Sequence, residues 1–404
     1  MKIVVVRKYL IGALVLAVVS FGGYKYGVYS VESRFQSESM VDTRVMNEVL
    51  ARLKKDYLRP EDIKTDSLMY GAAEGMTASL KDPYTNFFPP VENSRSKEDL
   101  QGEFGGVGIQ LGFVEKNLAV MTPIKGSPAM KAGLKAGDLI LKIVDEQKKV
   151  SKDTGDMTID DAVSLIRGPK GTEVKLTIFR EGEKISREVV LVRDLINVPS
   201  TELEWLDGGK VAVMRVNKFG EQTLTEWEKM VAEVKAKKAV GIILDVRNNP
   251  GGYLQRAVEL GSEFISSGVV VEQRDRHKTE IGNVNRKGQL IGMPLVVLIN
   301  RGSASASEIL AGALSERLGT KLIGEKSFGK GTVQEAQEIG DGSSIHITVA
   351  EWLLPSGRNI HGNGLEPDVK VEYKYDEKNP TADNQMDKAL EVLKGIISGG
   401  VAKK

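Results

Sequence analysis

Pro294-Leu295-Val296-Val297-Leu298-Ile299-Asn300-Arg301-Gly302-Ser303-Ala304-Ser305-Ala306-Ser307-Glu308 sets an unbroken apolar run against a turn of small residues. An apolar run without alternation reads as a strand buried on both faces, as in a parallel sheet covered by helices. Ile309-Leu310-Ala311-Gly312-Ala313-Leu314 then continues as a helix. Small residues at such a turn let a substrate come close and put a hydroxyl where free helix N–H groups face outward. A nucleophilic serine with an oxyanion site belongs there. Serines also commonly sit there as plain helix caps, and the stretch alone favours a cap.

Two other stretches change that balance. Val240-Gly241-Ile242-Ile243-Leu244-Asp245-Val246-Arg247 reads as a second buried strand, ending in Asn248-Asn249-Pro250-Gly251-Gly252 before another helix. It supplies a second tight turn with exposed N–H groups, and Asp245 is expected to cap or hydrogen-bond that turn. Gly324-Glu325-Lys326-Ser327-Phe328-Gly329-Lys330-Gly331-Thr332-Val333-Gln334 sets a lysine between two glycines. A lysine acting as general base must be neutral, which requires desolvation and a pKa well below about 10.4. Flanking glycines permit the close packing that strips its water. A phosphate-binding loop is excluded by spacing, because Gly331 intervenes before Thr332.

The chain has 404 residues, enough for roughly two to three domains. Apolar residues make up 41% and charged residues 27%, which fits a chain with a real core. Lys plus Arg number 56 against 55 Asp plus Glu, so nothing favours nucleic acid as a partner. The absence of Cys removes disulfides, thiolate metal sites and cysteine nucleophiles. With only His277, His346 and His361, a His-rich metal site is not expected, and no metal or organic cofactor is implied. Lys2, Arg7 and Lys8 precede a run from Tyr9 to Phe21 almost free of polarity. That pattern predicts export, with the segment as an uncleaved membrane anchor in preference to a cleaved signal.

Residues 40–90 show helical spacing, ended by Asp82-Pro83-Tyr84 and Pro89-Pro90. A Gly-rich, strand-rich unit follows from about 102 to 196. Phe104-Gly105-Gly106-Val107-Gly108-Ile109-Gln110-Leu111 places glycines ahead of an alternating strand, where consecutive N–H groups can form an anion-holding nest. Ser127-Pro128-Ala129, Ala132-Gly133-Leu134, Gly137-Asp138 and a helical stretch over Thr158–Arg167 come next. This order of parts resembles a PDZ domain across about 90 residues. The resemblance implies a reader of peptide ends, with the loop holding a terminal carboxylate and the peptide adding a strand. Ile109, Leu111, Val163 and Ile166 would line an apolar pocket, so apolar C-terminal ends are expected. Arg167 closes the helix. It reads first as an exposed arginine, and second as a contact coupling peptide binding to the catalytic site.

N-P-G-G, G-S-A-S-A-S-E and G-K-G-x-x-Q behind a PDZ-like unit are together similar to the C-terminal processing peptidases, over about residues 40 to 395. That resemblance implies an exported or membrane-tethered endopeptidase of the Ser–Lys type. It implies Ser305 as nucleophile, Lys330 as general base, Gln334 as the residue orienting the lysine, and backbone N–H groups of Gly251 and Ala306 as the oxyanion hole. Ser303 and Ser307 share the run, so chemistry alone leaves the choice among the three serines open. The implied architecture is α+β: an α/β protease core of the crotonase/Clp-like type, an inserted PDZ-like domain and a helical N-terminal region. Its divisions are 1–35 (signal or anchor), 36–95 (helical), 96–196 (PDZ-like), 197–375 (protease core) and 376–404 (short helix near Asp387–Leu393, then polar tail). The 40–90 helices and the C-terminal helix offer docking surfaces for a second copy or a regulatory partner. Two rivals are a non-catalytic PDZ scaffold and an acyl-CoA enzyme of the crotonase group. His361 as member of a Ser–His triad lacks a partner pattern.

Overall fold

The computed structural model describes residues 42–374, 379 and 382–401. The basic and apolar stretch read as signal or anchor lies outside them. Among the described residues no helix is long and apolar enough to cross a membrane. Contacts group the chain into two units, one ending at Ala73 and the other beginning at Glu74. The first holds α1 (Arg44–Asp56) and the start of α2 (Thr65–Ala78). Lys54 and Lys55 close α1, where cations favour the carbonyl end of a helix.

In the second unit, β1 (Asn86–Phe88) and α3 (Pro90–Gln101) lead into β2 (Glu103–Gly106). The next elements are β3 (Ile109–Val114), β4 (Asn117–Pro123), α4 (Pro128–Lys131), β5 (Leu139–Asp145) and β6 (Val150–Asp153). After them come α5 (Ile159–Ile166), β7 (Glu173–Phe179), β8 (Arg187–Val192) and β9 (Asp194–Asn197). β2 and β9 pair antiparallel, Glu103 opposite Asn197 and Gly106 opposite Asp194, so the chain enters and leaves this lobe at one neck. Between them lies a sheet in the order β3-β4-β5-β7-β8, with β6 added to β5. Alternation in Val174, Leu176 and Ile178 of β7 turns those side chains into a core with Leu118, Val120, Ile140 and Ile143. Ile166, expected among the residues of an apolar peptide pocket, packs in this core at 5% exposure.

Helix α5 starts at Thr158, whose hydroxyl accepts the Asp161 N–H at 3.1 Å. Its other end is held by cations. Lys148 Nζ donates to the carbonyls of Ser164 (3.0 Å) and Arg167 (2.6 Å). Arg193 donates to those of Leu165 (3.0 Å) and Ile166 (2.7 Å). Arg193 is itself fully buried and pairs with buried Asp145 at 2.6 Å.

The remaining chain forms β10 (Thr201–Leu206), β11 (Val211–Val216), α6 (Thr223–Ala236), β12 (Gly241–Asp245) and α7 (Leu254–Gly261). It continues with β13 (Val269–Arg274), β14 (Thr279–Asn283), β15 (Leu295–Ile299), α8 (Ala306–Leu318) and β16 (Lys321–Gly324). It ends with β17 (Thr332–Glu338), β18 (Ser344–Leu353), β19 (Val369–Lys370) and α9 (Asn384–Val401). A six-stranded sheet runs β10-β11-β12-β15-β16-β19, parallel from β11 onward. Its inner strands β11, β12 and β15 are buried on both faces, as their continuous apolar runs require. Ile242, Leu244, Leu295 and Val297 face α6, α7 and α8, whereas Ile243, Val296 and Leu298 face α9. A second sheet runs β1-β18-β13-β14, with β17 also on β18.

Helix α9 is longer than the sequence suggested. Gly395 and Gly399 weaken helix propensity, yet Ala389, Leu393 and Ile397 pack on the sheet and carry the helix through. This apolar face is spent inside the fold, so it is not the free docking surface expected.

Removing one member of a buried ion pair strands the other. Arg193→Met is expected to cost about 3–5 kcal/mol, read as a lowered urea midpoint for the lobe between β2 and β9.

Candidate active site

β12 and β15 are parallel neighbours, with Ile242 opposite Leu295 and Leu244 opposite Val297. Their turns therefore emerge side by side at the carboxyl edge of the sheet. Asn248 N–H donates to Asn300 Oδ1 at 2.8 Å, and Asn300 Nδ2 returns a bond to Asn248 Oδ1 at 2.8 Å. Ala304 N–H donates to the Asn249 carbonyl at 3.0 Å. Gly251, at φ +107°, lies so near the serine turn that a β-carbon there would stand 2.8 Å from Ser305 Cβ. Only glycine fits.

The three serines of the turn have separate fates. Ser303 Oγ donates to the Val246 carbonyl at 2.7 Å, and Ser307 Oγ to the Asn249 carbonyl at 2.8 Å. Both are fully buried and stitch the two turns together. Ser305 holds φ +55° and ψ −116°, a conformation that costs a non-glycine residue about 1–3 kcal/mol. The Glu308 N–H goes to the Ser305 carbonyl at 2.8 Å. Ser305 lines a cavity of about 790 Å³.

Lys330 lines the same cavity. Its loop lies against residues 361–364. β-Carbons on Gly329 and Gly331 would stand 2.8 Å from Gly364 N and His361 Cβ. Trp352 Nε1 donates to the Lys330 carbonyl at 2.9 Å, and Lys330 Nζ lies 5.0 Å from the centre of the Tyr84 ring. Burial holds the Lys330 ammonium below the usual lysine value, with the Asp82 carboxylate working the other way. Asp82 accepts the Tyr84 N–H at 3.0 Å and the Thr85 hydroxyl at 2.7 Å. His346, on β18, shares the cavity wall, and its pKa is lowered by burial and then by Lys330.

Glu308 joins the two halves. It is fully buried, and its carboxylate accepts the N–H groups of Ser305 (2.9 Å), Gly329 (2.7 Å) and Lys330 (3.0 Å), with the Ser327 hydroxyl at 2.5 Å.

Three of the residues singled out in the sequence have partners that the sequence did not suggest. Gln334 lines the cavity, but its amide nitrogen donates to the hydroxyls of Thr332 and Thr348, each at 3.0 Å, and no bond to Lys330 is present among the described residues. The Gly251 N–H is engaged by Asn249 Oδ1 at 2.9 Å, whereas the Ala306 N–H has no backbone partner among the described residues. Arg167 is not an exposed arginine. Its side chain keeps 23% exposure, stacks 4.0 Å from the Phe104 ring centre and pairs with Glu98 (3.7 Å) and Asp99 (3.5 Å) of α3. Asp99 lines the cavity, as do Glu92 and Arg95 of the same helix. His361 Nδ1 accepts the Gly331 N–H at 3.3 Å and so braces the lysine loop. A larger cavity, about 1060 Å³, holds Arg247 paired with both Asp245 and Asp383, and no serine lines it.

In the inserted lobe, β3 is an edge strand beside α5. Gly105 and Gly106 belong to β2, while Val107 and Gly108 form the link to β3, Gly108 at φ +73°. The N–H groups of Val107 and Gly108 have no backbone partner among the described residues. Ile109 and Leu111 of β3 and Val163 of α5 are half-buried.

Residues 210–371 match the model of peptidase family S41, and residues 120–180 match that of the PDZ domain. The chain is 36% identical over 358 residues to a probable CtpA-like serine protease of Staphylococcus epidermidis, covering 88% of this chain and 70% of the relative. It is 38% identical over 329 residues to the carboxy-terminal processing protease CtpA of Bacillus subtilis, covering 81% of this chain and 68% of the relative. The chain belongs to peptidase family S41. It is a serine protease of the C-terminal processing group that carries a PDZ domain. The crystal structure of a putative S41 protease from Bacteroides fragilis shares the fold at a TM-score of 0.55 and 17% identity, covering 86% of this chain and 96% of that one.

In this S41 peptidase the sequence reading missed Asp82, Tyr84 and Glu308. Asp82-Pro83-Tyr84 looked like mere punctuation, and nothing in it signals a cavity. Glu308 did carry a signal, being the single charge between Ala306 and Leu314 on a helix otherwise apolar or small.

Because Ser303 and Ser307 satisfy buried carbonyls, Ser303→Ala and Ser307→Ala should each destabilise the peptidase by about 1–3 kcal/mol. Ser305→Gly should instead raise the thermal midpoint, since it relieves the strained φ. Calorimetry of the three variants checks the division.

Proposed function

We propose that this S41 peptidase cleaves proteins with a Ser305–Lys330 dyad and selects them by apolar C-terminal ends held in its PDZ groove. The observation that carries the reading is one cavity lined by both a strained serine and a desolvated lysine. Neutral Lys330 takes the proton from Ser305 Oγ as that oxygen bonds to the peptide carbonyl carbon. The oxyanion is held by the Ala306 N–H at the start of α8 and by the Gly251 N–H, which Asn249 releases as the substrate oxygen takes its place. Protonated Lys330 gives its proton to the leaving amine as the C–N bond breaks. Water then attacks the acyl ester, Lys330 takes the water's proton, and Ser305 recovers it.

For the PDZ groove, the support is an edge strand with its free side toward α5, together with the N–H groups of Val107 and Gly108. A peptide strand adds to β3, with its carboxylate on the Val107–Gly108 link that follows Gly105 and Gly106, and its last side chain against Ile109, Leu111 and Val163. Arg167 transmits occupancy, because its partners lie on the helix that walls the catalytic cavity. The N-terminal basic and apolar segment exports the chain and tethers it to the membrane.

Ser305→Ala and Lys330→Met should both abolish cleavage of an unfolded protein while keeping the fold. Activity persisting in Ser305→Ala sinks the dyad. Activity should rise with pH through a lysine pKa below 10.5, and Asp82→Asn should move that rise to lower pH. Lys330→Met should also be more stable than wild type at neutral pH, because the native state no longer buries an ammonium. That advantage should shrink as pH rises through the folded pKa and the wild-type lysine becomes neutral. For the groove, calorimetric titration should show a peptide with an apolar C-terminus binding, and its C-terminal amide failing. Arg167→Ala should retain that binding but lose peptide stimulation of cleavage.

A further inference from the structure

Glu308 is a buried carboxylate whose hydrogen-bond partners among the described residues are backbone N–H groups and a hydroxyl, not a cation. Taking such a charge out of water costs several kcal/mol unless donors replace the water. A helix start needs no such device, since an exposed glutamate at this position can cap equally well. Here the carboxylate instead reaches a loop 22 residues away in sequence. One oxygen, Oε2, accepts the Ser305 N–H at 2.9 Å and the Lys330 N–H at 3.0 Å. The other, Oε1, accepts the Gly329 N–H at 2.7 Å and Ser327 Oγ at 2.5 Å. Ser327 Oγ also accepts the Leu365 N–H at 2.6 Å, which anchors the network in the next segment of chain.

We propose that Glu308 is the positioning residue of the dyad: one anion whose two oxygens fix the Ser305 peptide and the Lys330 peptide in a single frame. The proposal rests on the Ser305–Lys330 reading above. Ser305 sits at a strained φ that needs outside support, and the bond from its N–H to Glu308 supplies it. The same oxygen holds the N–H of Lys330, so nucleophile and base share one acceptor atom. Only a carboxylate serves, since four donors converge on two oxygens and an amide would turn its NH₂ toward one pair of them. Glu308 touches neither the scissile bond nor the moving proton. It acts through the two residues that do.

Glu308→Gln, Ser327→Ala, the double variant and Ser305→Ala would be compared in the full chain, with a labelled peptide giving kcat and KM and calorimetry giving the thermal midpoint. Glu308→Gln is expected to lower kcat about 10²-fold with KM within about twofold of wild type. Ser327→Ala should lower the midpoint modestly, since the Leu365 N–H loses its acceptor, and should lower kcat about tenfold at a temperature where the variant is fully folded. The double variant should be no slower than Glu308→Gln alone, because both act through one carboxylate. Glu308→Gln keeping kcat within about threefold of wild type would overturn the proposal, as would a loss matching only its unfolded fraction. If Glu308→Gln does not fold, Ser327→Ala decides, and wild-type kcat there overturns the role. Ser305→Ala separates the two readings: a fully active Ser305→Ala fails the dyad, while a dead one beside a fully active Glu308→Gln fails Glu308 alone.

Discussion

The parallel pairing of β12 with β15 is the constraint on which the site depends. Both strands are fully buried, so neither can slip without turning a core face toward the wrong helices. With Asp245 opposite Leu298, the two chains leave the sheet level with each other. That register brings the Val246 and Asn249 carbonyls within reach of Ser303 and Ser307. Two serines are used to lock the turns, and the third, lying between them, is pushed into a conformation where it faces the cavity.

The lysine arrives by a different route. No sheet pairing carries it, because β16 ends at Gly324 and β17 begins at Thr332, in another sheet. Its loop is held by close approach to residues 361–364, by Trp352, and by the Glu308 carboxylate. Backbone contact of this kind leaves little room for water beside the side chain. Burial then lowers the Lys330 pKa against the pull of Asp82, an opposition that places the lysine between the deep interior and the surface.

The strands, their turns and the order of parts were legible because each follows from local pattern. Continuous apolar runs mean two buried faces, and glycine pairs mean close approach. The serine assignment was not legible from chemistry, because Ser303, Ser305 and Ser307 differ only in which carbonyl lies near their hydroxyl. That is set by the register of β12 against β15. The length of α9 was hidden because its glycines argue against helix while its packing on Gly241 and the sheet argues for it, and packing is the larger effect. Asp82 and Tyr84 lie far along the chain from Lys330, and only the fold brings them to it.

Ion pairs of unequal strength divide the PDZ lobe from its joint to the catalytic cavity. Inside the lobe, Arg193 and Asp145 meet at 2.6 Å, both fully buried. At the joint, Arg167 meets Glu98 and Asp99 at 3.7 and 3.5 Å, with all three partly exposed. Pairs of the second kind contribute about 0–1 kcal/mol each, while a ligand bound at micromolar affinity releases about 8 kcal/mol. On the coupling proposed for Arg167, a small fraction of that binding energy suffices to make or break the joint. The interior of the lobe would not yield first. Helix α3 stands on the other side of this joint, and Asn93 fixes it to the β17–β18 hairpin through the Gly342 carbonyl (3.0 Å) and the Ser344 hydroxyl (2.9 Å). On the proposed coupling, α3 has a weak ion-pair contact toward the lobe and a firm one toward the hairpin, and so stays part of the cavity wall.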